Sequence, residues 1–71
     1  MEKKARLLLA RRIKLLREKK GLTQEKLAAL AGIDYKYLQK IEGKTPPAIR
    51  IDTIETLARA FKTTCSTLLK F

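Results

Sequence analysis

The chain offers little to a catalytic reading. Its 71 residues contain no histidine and one cysteine, Cys65. A nucleophilic cysteine therefore lacks its usual partner base, and zinc sites of the Cys/His kind are excluded, as is an intramolecular disulfide. No glycine-rich loop of the kind that cradles a nucleotide is present. Cys65 lies at apolar spacing with Leu68 and Leu69 and reads as core filler. The chemistry that remains belongs to Lys, Arg, Gln and Tyr side chains, which make hydrogen bonds and carry charge. They are abundant. Lys and Arg number 17 against 7 Asp and Glu, a formal charge of +10. Such a surplus on a small surface sets up a strong positive field suited to a polyanion. Nine of the basic groups fall in residues 1–20, against only Glu2 and Glu18.

These groups need a scaffold, and the apolar pattern supplies one made of helices, with no useful strand alternation. Ala5, Leu9, Ile13 and Leu16 form one stripe of a first helix running from about residue 3 to Lys19. Leu7, Leu8 and Leu15 are left unplaced by that stripe. Lys19, Lys20 and Gly21 give a cationic last turn and a glycine stop. Thr23 caps a second helix, Gln24 to Ala31, with Leu27, Ala28, Leu30 and Ala31 facing inward and Gly32 ending it. Asp34 caps a third helix, Tyr35 to about Glu42. Ile33 and Leu38 form a hydrophobic staple across that cap, and Leu38 and Ile41 point to the core. Pro46-Pro47 keep residues 43–51 from being helical throughout. Within that loop one or both of Ile49 and Ile51 tuck inward and Arg50 points out. Asp52 then starts a fourth helix, with Glu55 completing a capping box and Ile54, Leu57, Ala58 and Phe61 as its stripe. A short fifth helix is capped by Thr63 or Thr64.

Two short helices joined at Ala31-Gly32-Ile33-Asp34 meet too tightly for an antiparallel hairpin. Their glycine and staple fix a steep crossing, as in helix-turn-helix units. Such a unit presents its second helix to the DNA major groove, while the N-terminus of its first abuts the phosphate backbone. Tyr35, Lys36, Gln39 and Lys40 are left on the outward face. Lys can donate to guanine O6 and N7, Gln can pair with adenine through two bonds, and Tyr35 can reach a sugar, a phosphate or a thymine methyl. A merely solvated face is the plain alternative for any one of them. It fits the whole face less well, because tyrosines are costly on a surface with no partner.

The run GLTQEKLAALAGIDYKYLQKIEGK resembles the lambda-repressor/Cro-like helix-turn-helix family, also called the XRE family. Arg17, Gly21-Leu22-Thr23-Gln24, Leu27-Ala28, Ala31-Gly32-Ile33, Leu38 and Ile41-Glu42 carry the match. Asp52-Thr53-Ile54, Leu57-Ala58, Phe61 and Leu68-Leu69 extend it to nearly the whole chain from Ala5 onward. The resemblance implies an all-α fold: a compact five-helix lambda-repressor-like bundle with a central helix-turn-helix, residues 1–71 forming a single DNA-binding domain. It implies a small sequence-specific transcriptional regulator, a repressor or controller, acting on double-stranded DNA; the small size of the chain and its apolar C-terminal end (Leu68, Leu69, Phe71) lead to the further expectation of a homodimer. By the same resemblance Gln24, next to Thr23, binds phosphate, as helix N-termini favour anions in any case. The base-reading positions fall on Tyr35, Lys36, Gln39 and Lys40. Tyr37 stands where a small residue is common and adjusts docking or touches the backbone. Arg17 and Glu42 match a partly buried structural salt bridge.

Gly43 follows Glu42 directly, where the usual pattern has one residue between them. Lys44 and Thr45 therefore sit in an altered loop that in the family runs along a phosphate strand. The basic first helix is expected to lie behind the reading head and to add long-range attraction and solubility. No cofactor, metal or small-molecule ligand is expected, and no enzyme activity. No apolar run reaches the roughly 20 residues that cross a bilayer, so the expected location is the cytoplasm of a bacterium, the gene being bacterial or phage-borne. Two other readings share the sequence features: an antitoxin or protein-interaction module of the same fold, and a basic membrane-surface peptide.

Overall fold

The computed structural model describes residues 1–71, and its regular elements are all helices, with no strand. Its elements are α1 (Lys3–Lys19), α2 (Gln24–Ala31), α3 (Tyr35–Ile41), α4 (Ile51–Ala60) and α5 (Cys65–Leu68). This is the expected five-helix bundle. The principal extents are 27 × 24 × 21 Å.

One apolar cluster lies at the centre, and every helix contributes to it. Leu9 and Ile13 come from α1, Leu27 and Ala28 from α2, and Leu38 and Ile41 from α3. Ile54, Leu57, Phe61 and Leu68 close it from the far side. Helix α2 packs on both α3 and α4, and α5 packs on α4 and α1. Burial of these side chains is the main favourable contribution, since about 1.5–3 kcal/mol accompanies each fully buried Leu, Ile or Phe.

The connections follow a shared rule. Gly21 and Gly32 both adopt φ +67°, the left-handed region that glycine enters without steric cost. At each, the next amide reaches back across the helix end: Leu22 N–H donates to Arg17 C=O and Ile33 N–H to Ala28 C=O, both at 3.0 Å. These bonds satisfy carbonyls that the helix end would otherwise leave open. Helix α4 ends the same way without glycine. Lys62 takes φ 56°, and Thr63 N–H donates to Ala58 C=O at 2.9 Å.

Four expectations need correction. Leu30 does not face inward; it is 52% exposed. Leu69, expected beside Cys65 and Leu68 in the core, is 39% exposed, while Leu68 is fully buried. Asp34 occupies the cap position of α3, but its side chain makes no capping bond. Helix α4 begins at Ile51, with Arg50 at the cap, so Asp52 sits inside the first turn and there is no capping box. Its Oδ1 accepts from Thr53 N–H instead, at 2.9 Å. Of the two loop isoleucines, Ile49 is buried and Ile51 is exposed.

Candidate nucleic-acid interface

Helix α3 is divided into two faces by its own periodicity. Leu38 and Ile41 are fully buried, and they anchor the helix. Tyr35, Lys36, Gln39 and Lys40 lie on the opposite side and are all exposed. The four residues expected to read bases therefore form one continuous outward surface. Tyr37 does not join them. It is half-buried and packs against the central cluster, so its ring supports the helix from below.

Helix α2 approaches the same surface with its N-terminus. Thr23 Oγ1 accepts from Lys26 N–H at 3.0 Å, which fixes the first turn. Gln24 follows, half-buried. Its Nε2 donates to Glu42 Oε1 at 3.1 Å, which ties the start of α2 to the end of α3. A carboxamide nitrogen carries two donors. One is taken by Glu42, and the second remains for a ligand such as a phosphate oxygen.

Glu42 is the centre of the tie. Its side chain is 2% exposed, and Arg17 grips it through two parallel bonds: Nε to Oε2 at 2.8 Å and Nη2 to Oε1 at 3.0 Å. Arg17 Nη1 also donates to Leu22 C=O at 2.8 Å. The fork of a guanidinium matches a carboxylate in this way and no ammonium does. Hydrogen bonding to Glu42 raises the pKa of Arg17, burial works against it, and the nearby charges of Glu42 and Glu18 add to the rise. The guanidinium stays charged. One ion pair thus fastens α1, the α1–α2 connection and the end of α3 together.

Beyond Glu42 the chain turns at Gly43. A Cβ there would come within 3.3 Å of the carbonyl oxygens of Gln39 and Lys40, so a larger residue fits only if that backbone gives by a few tenths of an ångström. Lys44 and Thr45 follow on the surface, and Pro46 is buried beneath them. The loop therefore presents its polar residues beside the end of α3. Arg50, which the motif did not single out, stands exposed at the cap of α4 and meets Asp52 at 3.3 Å. A surface pair of this kind contributes little to stability.

Two short helices packed together across the Gly32 turn, with an outward polar face on the second and the polar N-terminus of the first beside it, are the arrangement of a DNA reading unit. Comparison with known proteins agrees. A helix-turn-helix family matches residues 13–68. The chain belongs to this family, of the XRE type. Its members are DNA-binding transcriptional regulators, and this chain is one of them. No curated protein matches the chain in sequence. Among solved structures it is similar to the restriction-modification controller protein C.AhdI from Aeromonas hydrophila. That likeness has 32% identity and a TM-score of 0.83, over 89% of this chain and 94% of the other. It is also similar to a hypothetical transcription factor, NHTF, from Neisseria. There the identity is 34% and the TM-score 0.84, over 92% of this chain and 72% of that one. No helix is long and apolar enough to cross a membrane.

Proposed function

We propose that residues 1–71 act as one sequence-specific, double-stranded DNA-binding unit of a bacterial or phage-encoded regulator working in the cytoplasm. Helix α3 enters the major groove. Lys36, Lys40 and Gln39 read base edges there, while Tyr35 contacts a base methyl or the backbone. Thr23, Gln24, Lys44 and Thr45 hold the flanking phosphates. The observation that carries this reading is the single outward surface made by α3 and the start of α2.

The protein works as a homodimer, with its two α3 helices in successive major grooves about 34 Å apart on one DNA face. The exposed apolar residues at the C-terminal end, Leu69 and Phe71, support self-association. The likeness to a restriction-modification controller supports a controller or repressor function.

Selection of bound fragments from a random DNA pool, at a stated salt concentration, tests the reading. A two-fold symmetric site is expected. Lys36→Ala and Lys40→Ala should each cost about 1–3 kcal/mol on the preferred site and relax base choice there. Gln24→Ala should weaken binding to every sequence alike. If both lysine variants leave the ranking of sites unchanged, these lysines hold backbone only. A monomer mass on saturated DNA would remove the dimer.

A further inference from the structure

We propose that the N-terminal two-thirds of α1 is a second DNA-contacting element, a cationic track for the phosphodiester backbone that flanks the base pairs read by α3. This rests on the DNA-binding reading above and extends it to residues that reading leaves out. Residues 1–12 precede the segment matched to the helix-turn-helix family, and the track runs on from them to Lys14.

The geometry comes from two adjoining clefts of about 370 Å³ each, both between α1 and the loop that follows α3. One is lined by Arg11 and Lys14 on the helix and by Glu42, Gly43 and Lys44 opposite. The other is lined by Lys3 and Arg6 on the helix and by Lys44, Thr45 and the two prolines opposite. Leu7 and Lys44 border both, so the clefts form one groove. On the helix, positions 3, 6, 7, 10, 11 and 14 follow the 3.6-residue repeat and fall on one face, which continues to Arg17. From Lys3 to Arg17 that face is about 21 Å long at 1.5 Å per residue. It ends at the Arg17–Glu42–Gln24 tie, where the phosphate-binding end of the helix-turn-helix begins.

Every charged group along this groove is cationic except Glu42, and Glu42 is neutralised by Arg17. The N-terminal turn is fixed against the loop. Ile49 N–H donates to the Met1 sulfur at 3.4 Å, and Arg6 Nε donates to the Met1 carbonyl at 2.9 Å. The first helix is therefore not simply behind the reading head, as the sequence suggests. One of its faces borders the loop beside α3.

A line of like charges unpaired by carboxylates is electrostatically unfavourable within the free protein, and a polyanion relieves it. Double-stranded DNA is favoured over an anionic membrane as that polyanion. Membrane-surface helices expose a broad apolar face, whereas in α1 Leu9, Ala10 and Ile13 are buried in the core and Leu15 is the one large apolar side chain left exposed.

The test is the salt dependence of DNA affinity. Each phosphate contact contributes close to one unit of slope in log K against log salt concentration. Lys3→Gln/Arg11→Gln should flatten the slope by about two units and weaken preferred and random DNA by the same factor. Lys3→Arg/Arg11→Lys should keep the full slope. Arg59→Gln/Lys70→Gln removes the same charge from residues that line neither cleft and should leave the slope close to wild type. An unchanged slope in the first variant, or equal flattening in the third, overturns the track while DNA binding itself stands. If the wild-type chain binds no DNA at all, both readings fall together. Loss of binding to phosphatidylserine vesicles in the first variant, with the DNA slope intact, assigns the track to a membrane and overturns it as well.

Discussion

The two arms of the helix-turn-helix unit are held in different ways. Helix α2 is fastened along its whole length: Thr23 caps its start, Gly32 closes its end, and its inner face packs on both α3 and α4. Helix α3 has seven residues, no side-chain cap, and only two fully buried side chains. It is fixed instead by Leu38 in the middle, by Ile41 at its last residue and by Glu42 just past its end. The difference teaches how a reading helix keeps its polar surface free. Anchoring is concentrated in a few deep contacts on one face, so that none of the exposed residues is needed for the fold.

The deepest of those contacts should dominate any attempt to break the arrangement. Arg17→Ala strands the Glu42 carboxylate, 2% exposed, with only Gln24 to bond it. Removing one partner of a buried pair costs about 3–5 kcal/mol, comparable to the roughly 3–5 kcal/mol of net stability that so small a core supplies. Urea denaturation should therefore find the variant largely unfolded. The double variant Arg17→Met/Glu42→Leu should recover much of the loss, because no unpaired charge is left behind. The raised pKa of Arg17 gives the linkage its sign. The stabilisation is complete at all pH values below the arginine range of the unfolded chain and fades only in strongly alkaline solution. No loss of this tie is expected between neutral and mildly basic pH.

The next contact separates the two faces of α3 directly. Leu38→Ala empties a fully buried site and should cost about 2–5 kcal/mol in urea denaturation. Tyr35→Ala, on the exposed face of the same helix, should cost under about 0.5 kcal/mol. Equal losses would mean that the outward face of α3 also holds the fold together.

Much of this was legible in the sequence. Apolar spacing, with Gly21 and Gly32, marks the helices, because periodicity and left-handed glycine stops are local properties. The Arg17–Glu42 pair came from resemblance alone, since 25 residues separate the partners and no local rule joins them. Tertiary placement decides the rest, and it leaves no local mark. Leu30 is one residue, and so about 100° round the helix, from buried Ala31; α2 turns its narrow stripe between α3 and α4 and leaves Leu30 outside. Tyr37 looked like part of the outward face, but it stands four residues before Ile41 and shares its side. The Asp52–Glu55 spacing imitates a capping box, yet α4 already starts at Ile51, with Arg50 rather than Asp52 at its cap. Lys62 ends α4 in a conformation usually signalled by glycine, so its sequence carried no mark. The clefts between α1 and the 43–47 loop could not be seen at all, because they depend on the crossing of distant segments.

The smallest effect sharpens the comparison at the two helix starts. Thr23 and Asp34 occupy equivalent cap positions, and both residue types rank high there. Only Thr23 uses its side chain: its oxygen accepts from Lys26 N–H, whereas the Asp34 carboxylate bonds to no backbone amide of α3. Thr23→Ala should therefore cost about 1 kcal/mol. Asp34→Ala should cost only a few tenths, the remaining contribution being the attraction of its charge to the helix dipole. Urea denaturation at low and high salt distinguishes the two, since the dipole contribution is screened and the capping bond is far less so. If Asp34→Ala costs as much as Thr23→Ala at high salt, α3 is capped in solution. Its start is then fastened as firmly as that of α2, and the contrast between the two arms lies only in their buried faces.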